Sequence, residues 1–259
     1  MNQPAPAGTH TSPALALHGI SLQIGGAQIL RGVTLSVNRA EMIGVIGPNG
    51  AGKTTLFNII SGVVTPTGGR VEVEGTDVTT LSIPRRARLG LGRTFQTSSV
   101  FQTLSAHENV RLAAQAKLGR ATSPFVFPRR GDAASTIADE KLDEVGLAHH
   151  AQTISGVLSH GDKRKLEIAM LLATDPQVIL LDEPMAGVGS GDVPGLVEVI
   201  RRVHRGGRTV LLVEHHMEVL LGLVERVAVL HHGELLAFDS PDVVMNDATV
   251  KQAYLGSAA

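Results

Sequence analysis

Gly47-Pro48-Asn49-Gly50-Ala51-Gly52-Lys53-Thr54-Thr55 is the stretch on which the reading of this chain turns. It satisfies G-x-x-x-x-G-K-[ST], with Lys53 and Thr54 in the last two places. Glycines in such a run let the backbone curl until its N–H groups converge on one point, which suits phosphate oxygens. The spacing predicts a helix opening at Gly52 or Lys53, its positive dipole end turned toward the same anion. Lys53 adds a full charge for the β- and γ-phosphates, and Thr54 offers a hydroxyl to Mg²⁺. Upstream, Met42-Ile43-Gly44-Val45-Ile46 reads as a buried strand feeding the loop. Downstream, Leu56, Ile59 and Ile60 recur at helical spacing. Strand, loop and helix in that order predict a nucleoside triphosphate site.

Before the loop, Leu15, Leu17, Ile20, Leu22 and Ile24 punctuate a strand, Gly25-Gly26 signals a hairpin turn, and 29–37 returns. An antiparallel β piece is therefore expected ahead of the loop. After it come a turn over 65–69, an edge strand over 71–74, a short basic helix over 83–89 and a strand over 91–95. Helices are expected over 106–117 and 133–145, separated by a Pro-, Gly- and Arg-rich stretch, and 104–159 reads as a helical subdomain inserted in an α/β core. Beyond it, apolar strands at 178–181, 209–213 and 227–230 alternate with helices at 164–173, 193–203 and 217–224. A late hairpin turns at His232-Gly233, and two short helices lie between 241 and 254. Such alternation argues for a mostly parallel sheet. Residues 1–13 read as a disordered tail.

Composition narrows the function classes. The chain has 259 residues, 43% of them hydrophobic and 18% charged, as an ordinary globular protein does. A net charge of −1 gives no electrostatic reason to expect nucleic acid as a partner. The absence of cysteine excludes a disulfide, a thiolate zinc site and a cysteine nucleophile. The longest apolar stretch, 210–230, is broken by Glu214, Glu218, Glu225 and Arg226, so no run of ~18 apolar residues is left to span a membrane. No secretory signal opens the chain, and a cytoplasmic location is expected.

The remaining chemistry sits at strand and helix ends. Asp182-Glu183 closes the apolar run 178–181. One carboxylate there can hold Mg²⁺ through water, and its neighbour can orient or deprotonate a water aimed at the γ-phosphate. Leu158-Ser159-His160-Gly161-Asp162 stands at the mouth of a helix, where a hydroxyl and backbone N–H groups suit either a phosphate or an ordinary N-cap. His149-His150, His215-His216 and His231-His232 are adjacent pairs, and neighbours on a helix or strand are expected to point apart, a poor arrangement for a shared metal. His215 differs, because it ends a strand where a phosphate-sensing group would stand.

Together these segments resemble the ATP-binding cassette ATPases over about residues 14–256. GPNGAGKTT matches the Walker A run, VILLDEP the Walker B run with its glutamate, and LSHGDKR the signature, usually LSGGQ; Gln96 matches the Q-loop glutamine and His215 the switch histidine. The stretches FNIISGVVTPTGG, LGRTFQTSSVFQTLSAHENV, KLEIAMLLATDPQVILLDEPMAGV and AYLG resemble the ATPases of branched-chain amino-acid importers, with urea and short-amide importers close behind and lipid-envelope exporters a further alternative. The resemblance implies ATP and Mg²⁺ as cofactors. Gly47 through Thr55 would cradle the phosphates, with Thr54, Gln96 and Asp182 organising the metal. Glu183 would be the general base and His215 the γ-phosphate sensor. It further implies a head-to-tail dimer, homomeric or heteromeric, in which Ser159, His160, Gly161 and Asp162 act on the partner's nucleotide. Transmembrane permease subunits, and through them a solute-binding protein, would complete the assembly and hold this chain on the inner face of the membrane. The chain departs from the family at Ile24, where an aromatic residue usually stacks on adenine, and at His160, Asp162, Gly189 and His216.

Overall fold

The computed structural model describes residues 12–94, 100–119 and 132–255. The tail expected over 1–13 lies outside them apart from Ser12 and Pro13, and so does Gln96. Strands β1 (Leu15–Ile24) and β2 (Ala27–Val37) form the expected hairpin around Gly25-Gly26. β3 (Met42–Ile46) is the strand that feeds the loop, and α1 (Lys53–Ser61) is the helix that leaves it. The expected edge strand over 71–74 is a correction. β4 (Gly68–Val73) starts earlier and lies inside the sheet order β2-β1-β4-β5, with the two-residue β5 (Thr76–Asp77) at the edge. The reason is that β4 is paired on both flanks: Val73 stands opposite Leu15 of β1 on one side and Thr76 of β5 on the other.

The second sheet has the order β10-β9-β3-β8-β7-β6, formed by β6 (Leu91–Arg93), β7 (Val178–Asp182), β8 (Thr209–Val213), β9 (Arg226–His231) and β10 (Glu234–Asp239) around β3. All its pairings are parallel except the returning β10. Its central strands β3, β7 and β8 are buried at every position because both faces are covered, and successive residues serve opposite cores. Ile43, Val45, Leu180, Leu211 and Ala228 join a core with Leu56 and Phe57 of α1 and the four-stranded sheet. Met42, Ile46, Leu181, Leu212 and Val229 join the other, with residues of the helices α3 (Ala106–Lys117), α4 (Ala133–Glu144), α5 (His160–Leu172) and α6 (Val193–Arg205).

Register brings the functional loops together. Val45 of β3 stands beside Val213 of β8, and Val213 beside Asp182 of β7. The three strands therefore end at one level, and their loops emerge side by side at the carboxyl edge, where open α/β sheets hold their ligands. Helix α5 begins at His160 and not near 164, because the Ser159 side chain accepts from Asp162 N–H and caps it. Among the described residues no helix is long and apolar enough to cross a membrane.

One buried cation ties α1 into this arrangement. Arg86, in α2 (Ile83–Arg88), is 2% exposed and donates to the carbonyls of Ile59 and Ile60 at 2.6 Å each, of Thr79 at 2.9 Å and of Leu81 at 3.0 Å. It thus caps the carboxyl end of the helix that starts at the phosphate loop, where a positive charge belongs. Arg86→Met leaves those carbonyls unpaired in the interior and is expected to lower the unfolding free energy by about 2–4 kcal/mol. Urea titration of both proteins checks it; an unchanged midpoint would remove Arg86 from the list of structural residues.

Candidate active site

The loop 47–52 passes from β3 into α1 through Gly52, the residue before the helix, at φ +103. A Cβ there would stand 2.6 Å from Leu30 Cδ2 in a backbone conformation that L residues rarely adopt, so only glycine fits. No side chain caps the first turn of α1, so its N–H groups point at the space the loop encloses. Lys53 is 8% exposed, and its Nζ donates to the carbonyls of Gly47 at 2.6 Å and Pro48 at 3.1 Å. Burial pushes its pKa below the ordinary lysine value, while the nearby carboxylates of Glu183 and Asp182 oppose that shift. The sequence-distant carboxylates are therefore close enough to act on the loop lysine. Pro48, Asn49, Gly50 and Ala51 also line an open cavity of about 610 Å³ shared with His231 and His232.

At the end of β7, Asp182 is 1% exposed. Its Oδ2 accepts from Arg93 Nη2 at 2.8 Å, and its Oδ1 has no hydrogen-bond partner among the described residues. Glu183 follows at φ +49, strained for a non-glycine residue, and its N–H donates to Val213 O at 2.9 Å. That backbone turns the Glu183 side chain toward the end of β8, where Oε1 lies 3.1 Å from His215 Nε2. The expected base and the expected sensor are thus in contact. Ile24, at the tip of β1, is 59% exposed, an open apolar surface.

The signature residues form a separate group. The Ser159 hydroxyl is 3.0 Å from Asp162 Oδ2 and accepts from Asp162 N–H at 3.0 Å. Lys165 Nζ donates to Asp162 Oδ1 at 3.2 Å. Ser159 and His160 are exposed, whereas Gly161 is buried against Asp192, whose Cβ would lie 2.7 Å from a Cβ at that position. Their bonds stay within their own helix turn, so within one chain they do not complete the phosphate-loop site.

The sequence reading passed over Arg93 and Glu214. Glu214 is 4% exposed; its Oε1 accepts from Met185 N–H at 2.7 Å, and its Oε2 accepts from His215 N–H at 3.1 Å and lies 3.3 Å from His216 Nδ1. It ties the loop after Glu183 to the loop carrying His215. The signal available was a carboxylate directly following the wholly apolar end of β8.

Residues 30–186 match the family model described as ABC transporter. The chain belongs to that family. As an ABC ATPase it has curated relatives along nearly its whole length. It is 35% identical to the high-affinity branched-chain amino acid transport ATP-binding protein LivG of Salmonella typhimurium, covering 96% of this chain and 100% of LivG. The corresponding protein BraF of Pseudomonas aeruginosa is likewise 35% identical, over 95% of this chain and 99% of BraF. Among solved structures, the ADP conformation of MJ1267, an ATP-binding cassette of an ABC transporter, superposes with a TM-score of 0.84 at 28% identity, covering 95% of this chain and 100% of that one. The dimeric post-hydrolysis state of the cassette MJ0796, bound to ADP and Pi, gives 0.72 at 25% identity, over 87% and 98%. The fold expected from the sequence, a phosphate-loop α/β core with an antiparallel β unit, is the fold of these ABC ATPases, and the chain is an ATP-binding ATPase of that kind.

Proposed function

We propose that this ABC ATPase is the motor subunit of an importer for branched-chain or other hydrophobic amino acids. The observation that carries the solute is the end-to-end similarity to LivG and BraF. In this reading Gly47 to Thr55 hold the triphosphate of ATP, Glu183 activates water and His215 reads the γ-phosphate. Asp182 and Thr54 would hold Mg²⁺. Both offer hard oxygen donors of the kind that ion takes, and the buried, unpartnered Asp182 Oδ1 fits such a role. When bound, the ion would neutralise charge on the phosphates. Gln96 belongs to the same proposed set but lies outside the described residues. A second ATPase subunit, identical or not, would bring its residues matching Ser159, His160, Gly161 and Asp162 to this site. The ATPase would sit on the inner face of the membrane, held by transmembrane permease subunits that are served by a solute-binding protein and receive the motion through the Gln96 loop and the 104–159 helical region.

Purification with the permease subunits and reconstitution in liposomes tests the solute. ATPase stimulation by the binding protein loaded with leucine or isoleucine, and none with urea or short amides, is expected. Stimulation by urea or short amides alone would move the protein to that importer class, and stimulation by lipid would make it an exporter.

Ile24→Tyr is expected to tighten nucleotide binding. Ile24 stands where the family resemblance puts adenine, and its aliphatic side chain offers contact without a π face. Stacking adds about 0.5–1.5 kcal/mol beyond burial, or roughly 2–10-fold in affinity. The gain should be equal for ATP and ADP, since the base is common to both. Calorimetric titration reads it, and identical affinities in mutant and wild type would place adenine elsewhere.

A further inference from the structure

We propose that Arg93 is the positioning residue for the metal carboxylate, tying Asp182 to the helix of the phosphate loop so that one defined oxygen is left for the metal. The inference rests on the reading of Asp182 as a Mg²⁺ ligand. Arg93 is the last residue of β6, and its side chain is 7% exposed. Nη2 donates to Asp182 Oδ2 at 2.8 Å. Nη1 donates to Asn58 Oδ1 at 2.7 Å and to Ser61 Oγ at 2.8 Å, both on α1. The guanidinium carbon lies 5.8 Å from the centre of the Phe57 ring, so α1 also bounds the cation on a face.

The planar fork makes this bridge directional. With one nitrogen committed to α1 and another to Asp182, the carboxylate cannot rotate without breaking a buried charge-assisted bond. Oδ2 accepts from Arg93, and Oδ1 is buried with no hydrogen-bond partner among the described residues. A carboxylate with one oxygen held by a cation and the other open presents the open oxygen to a further ligand. Lys53, the lysine of the phosphate loop, opens helix α1. Helix α1 starts at that loop, so Arg93 fixes the carboxylate relative to the element that also carries Thr54. Outer partners that orient a metal ligand in this manner are worth about 10–100-fold in metal affinity.

Mn²⁺ serves as the probe, titrated by electron paramagnetic resonance against the full chain saturated with ADP. Arg93→Met is expected to weaken Mn²⁺ by about 10–100-fold, with ADP affinity measured in EDTA unchanged within about twofold. Arg93→Lys, which keeps the charge and loses the fork, should recover part of the loss. In an Asp182→Asn background, Arg93→Met should cost nothing further, because its effect runs through that carboxylate. If Asp182→Asn weakens Mn²⁺ while Arg93→Met leaves it as in wild type, the role of Arg93 is overturned and the metal reading stands. An equal fall of metal-free ADP affinity also overturns it, since Arg93 would then only hold the fold. If Asp182→Asn leaves Mn²⁺ binding intact, the metal reading falls and takes the proposal with it. Should Arg93→Met not fold, Asn58→Ala carries the same test by cutting the tether to α1: a several-fold loss of Mn²⁺ affinity supports the proposal, and none overturns it.

Discussion

Lys53→Ala is expected to raise the ATP dissociation constant by roughly 30–5000-fold, the range that follows from about 2–5 kcal/mol for truncating one member of a buried charge pair. The lysine sits at the mouth of α1, largely withdrawn from water, with its ammonium held on the Gly47 and Pro48 carbonyls. The backbone N–H groups remain in the mutant, so some phosphate binding survives, but the only full positive charge of the Walker A loop is gone. Stability should move the other way. Burial lowers the Lys53 pKa in the folded chain, so at neutral pH, where the side chain is charged, folding works against its desolvation. Removing it relieves that cost, and the melting temperature should hold or rise. The same lowered pKa makes wild-type ATP affinity fall as pH climbs through it, before an ordinary lysine would lose its proton, and the mutant should lack that alkaline limb. Equilibrium titration with ATP across pH, beside thermal melts, measures all three. Near-normal affinity at neutral pH would show that the loop binds phosphate by its backbone alone.

Glu183→Gln should keep ATP affinity within a few-fold and slow hydrolysis by about 10²–10⁴-fold, the usual scale for loss of a general base. The amide preserves the side-chain shape and can still meet His215 Nε2, now 3.1 Å from Oε1, but it cannot take a proton from water. Single-turnover hydrolysis separates this from a binding defect. With hydrolysis arrested, ATP-dependent dimers should accumulate in size-exclusion runs. Turnover at the wild-type rate would strip Glu183 of the role and shift attention to His215.

Much of this was legible in the chain because the decisive segments are short and buried. The runs at 42–46, 178–181 and 210–213 carry no polar side chain, as strands covered on both faces require, and each is followed directly by the phosphate loop or a carboxylate. The Walker A run needed no context beyond the strand and helix beside it. What escaped was long-range pairing. Nothing in 65–74 announces that β4 lies inside a sheet, because that depends on distant β1 on one flank and, on the other, on β5, which is too short at two residues to show as a run. The start of α5 was placed four residues late because charged residues at its mouth hid a helix whose cap is Ser159. Arg93 and Glu214 looked like ordinary charged residues at strand ends. Their partners, Asn58, Ser61 and Asp182 for one and Met185 for the other, lie about 29–89 positions away, beyond what local spacing can reveal.

Glu214 has a bearing on how this protein can be recombined with its relatives. Its carboxylate holds Met185 N–H with one oxygen and the backbone and ring of the two following histidines with the other, so two loops from separate strands share one buried anchor. Because the bond from position 185 comes from the backbone, any residue but proline can stand there, whereas position 214 must keep its carboxylate. A chimera that imports the segment around 214–217 from a relative without that carboxylate leaves the Met185 N–H buried and unpaired. The segment around 183–188 can be exchanged without loss of the joint so long as it brings no proline to position 185.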